Sequence, residues 1–298
     1  MQGIVFQIPE NVKEVKNTIK LLRFPFSIFL LPISLFSFYY IQPKFSFQLC
    51  LLIGIWHLLV FPSSNGYNSY HDQDEGPIGS LAFPPKPTKM LLHLSNILDF
   101  SAILLSFFVN SIFAFFVFSY ILVSRLYSNR KIRLKQYPIS GFFVVFIFQG
   151  VWVFCANVFA LSSYTLLKDP SVLYAAIATS FFIATIYPLT QNYQHEADRK
   201  DGVRTISMLL GHKSTFIFSG LMFLLASFFI FCAFSQPGSL QKFWLYNLLL
   251  LPAAIYFLRW AMQSFQNRKH INYRNTMTML VLSSLLNNIY FIVLLIKF

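Results

Sequence analysis

Charge is nearly absent from long stretches of this chain and crowded into the gaps between them. A helix crosses a bilayer in roughly 20 predominantly apolar residues, and nine stretches reach that length: roughly 22–41, 46–64, 91–108, 110–127, 139–160, 171–190, 214–234, 242–261 and 276–296. A soluble domain carries about a quarter charged residues; here the fraction is 11%. The pattern predicts an all-α integral membrane protein, with nine transmembrane helices in a bundle and a single polytopic domain over residues 1–298. The least distinct boundary is between the third and fourth spans, where only Asn110 divides two apolar runs. Pro25 and Pro32 fall in the first span, where neighbouring groups can satisfy the freed carbonyls.

Lysine and arginine set the expected orientation. With nine spans, the N-terminus and the loops after even-numbered spans share one side, which holds 19 Lys and Arg against 4 on the other. The positive-inside rule places that side in the cytoplasm and the C-terminus opposite. Residues 1–20 then form a cytoplasmic N-terminal segment; Glu10, Lys13, Glu14 and Lys16, without an apolar core, do not make a signal peptide. The net charge of +13 follows from topology and attraction to anionic membrane lipids, so no nucleic-acid partner is needed to explain it. Cys50, Cys155 and Cys232 lie in separate apolar runs and read as packing residues.

Two loops on the basic side carry an unusual polar pattern. "PSSNGYNSYHDQDEG" (62–76) and "PLTQNYQHEADRKDG" (188–202) each close an apolar run, 126 positions apart. Pro62, Asn65, Tyr67, Asn68, Asp72, Glu75 and Gly76 align with Pro188, Gln191, Tyr193, Gln194, Asp198, Asp201 and Gly202. Helical positions i, i+3 and i+7 lie within about 60° of one another. Asn65, Asn68 and Asp72 therefore form one polar stripe, and Gln191, Gln194 and Asp198 a second. Facing each other, the stripes would line one cavity. Such oxygen ligands suit Mg2+, which is typically held by one or two carboxylates, water and substrate phosphate. Arg23, Lys131, Lys135 and Arg204 are candidates for holding phosphate oxygens.

The two motifs, their positions after the second and sixth spans, and the total of nine spans resemble the UbiA superfamily of intramembrane prenyltransferases. That family carries an N-D-x-x-D-x-x-x-D-like motif and a D-x-x-x-D-like motif at these places. Asn68 and Asp72 match the first, while Ser69 and Gly76 replace two acidic positions that Asp74 and Glu75 would supply instead. Asp198 matches the second, Gln194 replaces an Asp, and Gly202, Thr205 and Gly211 resemble its continuation. "RFPFSIFLLP" is similar to the family's first helix, and "YSNRK" to its Y-x-x-x-K loop, which points to Tyr127 and Lys131. The resemblance implies Mg2+-dependent transfer of a polyprenyl group from its diphosphate to an acceptor, usually an aromatic ring and sometimes a lipid, in a cavity open to the cytoplasm. It implies Asp72 and Asp198 as core ligands, with Asn68, Gln194, Asp74 and Glu75 in support and Glu196 and Asp201 as further acids in reach. Asn65, Gln191 and the basic residues would bind diphosphate.

Other readings stay open on sequence: a membrane terpene cyclase or diphosphate lyase using the same site, a lipid transporter, or a prenyl-lipid binder without chemistry. Tyr67, Tyr193, Trp152 and the 37 Phe residues either pack or face lipid, or supply ring faces to an allylic cation. Asp99, inside a span, is either functional, or protonated, or paired with a neighbouring helix. His71 and His195 are either surface residues or proton acceptors, and Asn287 and Asn288 read as interhelical hydrogen-bonding groups.

Overall fold

A computed structural model describes residues 9–297. Residues 1–8 of the expected N-terminal segment, and Phe298, lie outside the described residues. Regular structure among the described residues is helical apart from an isolated bridge between Ile78 and Leu81. The first span comprises α1 (Glu10–Leu22), a 3₁₀ turn (Phe24–Leu30) and α2 (Leu31–Ile41). The second comprises α3 (Phe47–Gly54), a π turn (Ile55–Val60) and α4 (Phe61–Asp72). Helices α5 (Lys89–Ser106) and α6 (Ser111–Ser128) follow, then α7 (Pro138–Phe146), a second π turn (Ile147–Val151) and α8 (Trp152–Leu161). The chain continues through α9 (Pro170–Asn192), the short α10 (His195–Lys200) and α11 (Ile206–Leu210), α12 (His212–Ala233), α13 (Leu240–Gln266) and α14 (Tyr273–Lys297). Nine stretches among the described residues are long and apolar enough to cross a membrane, and each overlaps one of the nine expected spans.

Local chemistry accounts for the boundaries. Asn110 suffices to separate α5 from α6 because its side chain acts in both directions. Its Oδ1 accepts from Phe113 N at 2.8 Å, capping α6, while its Nδ2 donates to the Phe159 and Ala160 carbonyls at 3.0 and 3.2 Å. Asp169 caps α9 by accepting from Ser171 N at 2.8 Å, with Pro170 in the first turn. Pro25 sits in the 3₁₀ turn, entered through Arg23 in the left-handed region (φ 50°). Pro62 lies in the first turn of α4, one residue beyond the π turn, whereas Pro188 lies inside α9, which stays continuous through it. The two aligned prolines therefore do different local work.

The core is aromatic. Phe36 stacks on Phe291 at a centroid distance of 4.5 Å and also touches Phe154, Phe182 and Phe234. Within it, Trp56 Nε1 donates to Asn157 Oδ1 at 3.0 Å and Asn157 Nδ2 donates to Ser37 Oγ at 3.0 Å. This buried chain ties α2 and α8 to the π turn of the second span. Other phenylalanines, such as Phe100, Phe115 and Phe118, face outward.

The second and sixth spans run in the same direction because an even number of crossings separates them, so both motifs arrive at one end of the bundle. Midway along the fifth and sixth spans, close approach relies on Gly150: a Cβ would lie 2.4 Å from Ser180 Cα on α9, and Val151 N donates to Ser180 Oγ at 3.0 Å. Gly150→Ala is expected to cost roughly 1–3 kcal/mol by overpacking, read as a lower melting temperature in detergent. Gly54→Ala, whose methyl group would meet nothing within 4 Å, should show no such loss.

Candidate active site

The two motifs converge on the mouth of a cavity of about 1270 Å³ that runs on between the helices. Asn65, Asn68 and Asp72 reach it from one continuous helix, α4, as the spacing requires. The second stripe forms differently. Helix α9 ends at Asn192, and Tyr193 and Gln194 intervene before α10 begins. Gln191 comes from the end of α9, Gln194 from the break and Asp198 from α10, and all three still line the cavity. The break turns a linear stripe into an arc around the mouth.

Charge distribution there is uneven. Asp72 pairs with Lys135, and Arg133 Nη2 lies 3.6 Å from its Oδ1. Arg133 also pairs with Asp201, whose other oxygen lies 3.5 Å from Arg130 Nη2. Asp74 and Asp198 make no ion pair among the described residues. Burial, with Asp72 nearby, pushes the Asp74 carboxyl up to about 6 against Lys135 and Arg23. Burial raises Asp198 to about 7 despite Lys135, with Asp74, Asp72 and Asp201 adding to the rise. The Asp198 Oδ2 atom is buried without a hydrogen-bond partner. Glu75 and Glu196 are exposed lining residues at the rim.

Arg23 enters from the first span, its Nη2 donating to the Asn65 carbonyl at 3.2 Å and its Nη1 to the Gly79 carbonyl at 3.5 Å. These bonds fix the segment after α4 beside the mouth, where Gly79 packs so tightly on Phe26 that a Cβ would approach its ring to 2.6 Å. Gln194 Nε2 donates to the Pro77 carbonyl at 3.1 Å. The amide that departs from the family pattern therefore joins the second motif to the loop of the first. Tyr127 also lines the cavity, its hydroxyl 2.6 Å from that of Tyr187.

A model of the UbiA prenyltransferase family matches residues 29–285. The chain belongs to the UbiA prenyltransferase family. Solved structures share its fold. One reported for digeranylgeranylglyceryl phosphate synthase in membranes has a TM-score of 0.62 at 18% identity, covering 96% of this chain and 100% of that chain. A UbiA homolog from Archaeoglobus fulgidus bound to DMAPP and Mg2+ has a TM-score of 0.67 at 15% identity, covering 95% and 100%. The structure of a UbiA homolog from Archaeoglobus fulgidus bound to GPP and Mg2+ gives 0.67 at 16%, covering 94% and 99%. Comparison with curated proteins finds no sequence match. Family membership and the nine apolar helices among the described residues make this an integral, multi-pass membrane protein.

The structure leaves several residues singled out in the sequence of this UbiA-family chain off the cavity wall. Lys131 and Arg204 are exposed and do not line the cavity. The loop after α6 turns through Arg133 in the left-handed region (φ 49°), which swings Arg133 and Lys135 toward the acids and leaves Lys131 outside. Arg130 and Arg133 are not singled out in the sequence because four basic residues crowd this loop and spacing does not say which face inward. Trp152 is not in the wall; its Nε1 donates to the Phe116 carbonyl at 3.0 Å. Tyr67 lies behind the wall, while Tyr193 lines it. Neither His71 nor His195 lines the cavity. His195 is buried, stacks on His212 at 4.3 Å and has Nε2 2.8 Å from Ser207 Oγ, so it anchors the second motif to α11.

Burial, then the His212 and Arg199 charges, lower the His195 pKa to about 4. The unfolded chain thus binds an extra proton between roughly 6.5 and 4, and this contribution to stability is complete above that window and lost as pH falls through it. The Asp74 and Asp198 carboxyls, raised to about 6 and about 7, act in the opposite sense over much of this range, so the His195 contribution is read as a difference between variants. His195→Gln, which keeps a polar partner for Ser207, should gain melting temperature relative to wild type as pH falls from about 6.5 to 4.

Proposed function

We propose that this protein catalyses Mg2+-dependent transfer of a prenyl group from an isoprenyl diphosphate to an aromatic or lipid acceptor, at a mouth facing the cytoplasm. The observation that carries this reading is the convergence of Asp72 and Asp198, from motifs 126 residues apart, on the polar mouth of one aromatic-walled cavity. The 19-to-4 division of Lys and Arg supports the cytoplasmic side for that mouth and the opposite side for the C-terminus. Residues 1–298 are taken as a single membrane domain.

The residues fit Mg2+. Among the described residues no three His, Cys, Asp or Glu side chains come close enough to form a closed metal site. That arrangement suits an ion held by one or two carboxylates and completed by substrate phosphate. Asp198, with a buried oxygen lacking a partner, and Asp72 would hold it, with Asp74, Glu75, Glu196 and Asp201 as further carboxylates at the mouth. When bound, the ion offsets negative charge developing on the leaving diphosphate.

The protein's own groups supply the remainder. Arg23, Arg130, Lys135 and the Tyr127 hydroxyl line the mouth and would bind diphosphate oxygens, with the Asn65, Asn68 and Gln191 side chains adding polar contacts. The prenyl tail would lie along the apolar wall past Phe29, Ile33 and Phe182. Heterolysis sends the C–O electron pair to the diphosphate and leaves an allylic cation. The faces of Tyr120, Phe148 and Phe182 in the wall suit that cation, and the bundle excludes bulk water. An acceptor electron pair then forms the new bond at the carbon that bore the diphosphate, and the acceptor loses its proton to the released diphosphate or to water at the mouth.

Diphosphate release from geranyl diphosphate, measured on purified protein in nanodiscs with and without Mg2+ and aromatic acceptors, tests the reading. Release is expected to need both. Asp72→Asn and Asp198→Asn should each lower it by at least about 100-fold, whereas Lys131→Gln and Arg204→Gln should stay near wild type. Release with Mg2+ alone would favour a cyclase or lyase. Folded protein that releases none from any donor would favour binding or transport.

A further inference from the structure

A second charged assembly lies outside the cavity, within the membrane-spanning part of the bundle. Asp99 on α5 pairs with Arg125 on α6, whose Nε donates to Asp99 Oδ2 at 2.6 Å. Arg125 Nη2 also donates to Ser63 Oγ and to the Ser95 carbonyl, both at 3.2 Å, while the Ser63 hydroxyl donates to Asp99 Oδ1. The Arg125 guanidinium carbon lies 3.8 Å from the centroid of the Tyr67 ring. Asp99 and Arg125 do not line the cavity. Charged side chains in the span of a membrane helix are costly and are seldom kept without a role.

Their grip falls on α4. Ser63 and Tyr67 are one turn apart on one face of that helix. At about 100° per residue, this face points roughly 150° away from the face bearing Asn65, Asn68 and Asp72. Between the faces, Gly66 lets α4 approach its neighbours so closely that a Cβ would lie 2.6 Å from Ser95 Oγ and 2.8 Å from Leu22 Cδ2. The assembly also continues toward the second motif. Tyr67 Oη accepts from Asn129 Nδ2 at 2.9 Å, the Asn129 carbonyl accepts from Arg133 N at 2.7 Å, and Arg133 bridges Asp72 and Asp201.

We infer that the Asp99–Arg125 pair, acting through Tyr67 and Ser63, is a positioning element that fixes the rotation of α4 and so aims Asn68 and Asp72 at the diphosphate. Two points of attachment on the rear face of a helix resist rotation in a way apolar packing alone does not. A few degrees of rotation displaces a carboxylate at the end of a side chain by a sizeable fraction of an ångström, and ligand geometry is sensitive at that scale. The pair contributes no atom to the reaction. The inference rests on the metal–diphosphate reading of the mouth.

The test uses full-length protein in nanodiscs, titrated with Mg2+ at fixed inorganic diphosphate, with stabilisation against thermal unfolding as the readout. Asp99→Asn and Arg125→Gln singly each leave a lone buried charge and risk misfolding. The D99N/R125Q double variant leaves none. It is expected to fold and to need about tenfold more Mg2+ for half-maximal stabilisation, as for loss of an outer support to a metal ligand. Tyr67→Leu, which keeps the ion pair but removes the ring, should shift the Mg2+ midpoint in the same direction. A change confined to the melting temperature without ligand, with unmoved midpoints in both variants, would reduce the pair to a structural tie and overturn the inference. Wild-type protein that Mg2+ and diphosphate fail to stabilise would instead overturn the metal–diphosphate reading, and the positioning role with it.

Discussion

Acids and bases that would each repel their own kind share one small mouth at the end of an apolar bundle, and the rest of the architecture keeps them together. Away from bulk water, interactions between charges strengthen and so does the penalty for leaving one unpaired. The protein resolves only part of this conflict. Lys135, Arg133 and Arg130 answer Asp72 and Asp201. Asp74 and Asp198 are left with burial first and then with the charge of neighbouring carboxylates, Asp72 foremost for Asp74 and Asp74 foremost for Asp198, which is why their carboxyls rise to about 6 and about 7. A mouth so arranged favours a ligand that brings a cation to the acids and phosphate oxygens to the bases.

Packing decisions elsewhere follow from that requirement. The Asn157 hydrogen bonds and the Phe36 cluster lock the far part of the bundle, while Gly66 and Gly150 allow close helix approaches that larger residues would prevent. The Arg23 and Gln194 bonds to backbone carbonyls fix the segment after α4 against the second motif. The break between α9 and α10 widens a straight polar stripe into an arc, which lets residues from both motifs surround a common space.

The parts of this organisation legible in the sequence were those set by local pattern. Apolar length and charge-free runs locate all nine spans, and even the doubtful Asn110 boundary holds because one amide both caps a helix and ties down its neighbour. The shared end of the two motifs follows from counting crossings. What was not legible depended on backbone conformation or partners distant in sequence. The left-handed turn at Arg133 selects Arg133 and Lys135 over Lys131, and nothing in "SNRKIRLKQ" announces it. No proline or glycine marks the break at Tyr193 and Gln194. Asp99 was visible as an anomaly, but the identity of its partner required the geometry of α5 against α6.

The central claim is that two motifs distant in sequence build one metal–diphosphate site. Its most direct test is a cryo-EM structure of the protein with Mg2+ and the thiolo analogue of geranyl diphosphate, which resists ionisation. The account predicts diphosphate density at the mouth, between α4 and α10, with metal density against Asp72 and Asp198 and the prenyl tail running toward Phe182. Diphosphate bound away from one of the two motifs, or bound by the basic residues with no metal at either aspartate, would contradict it.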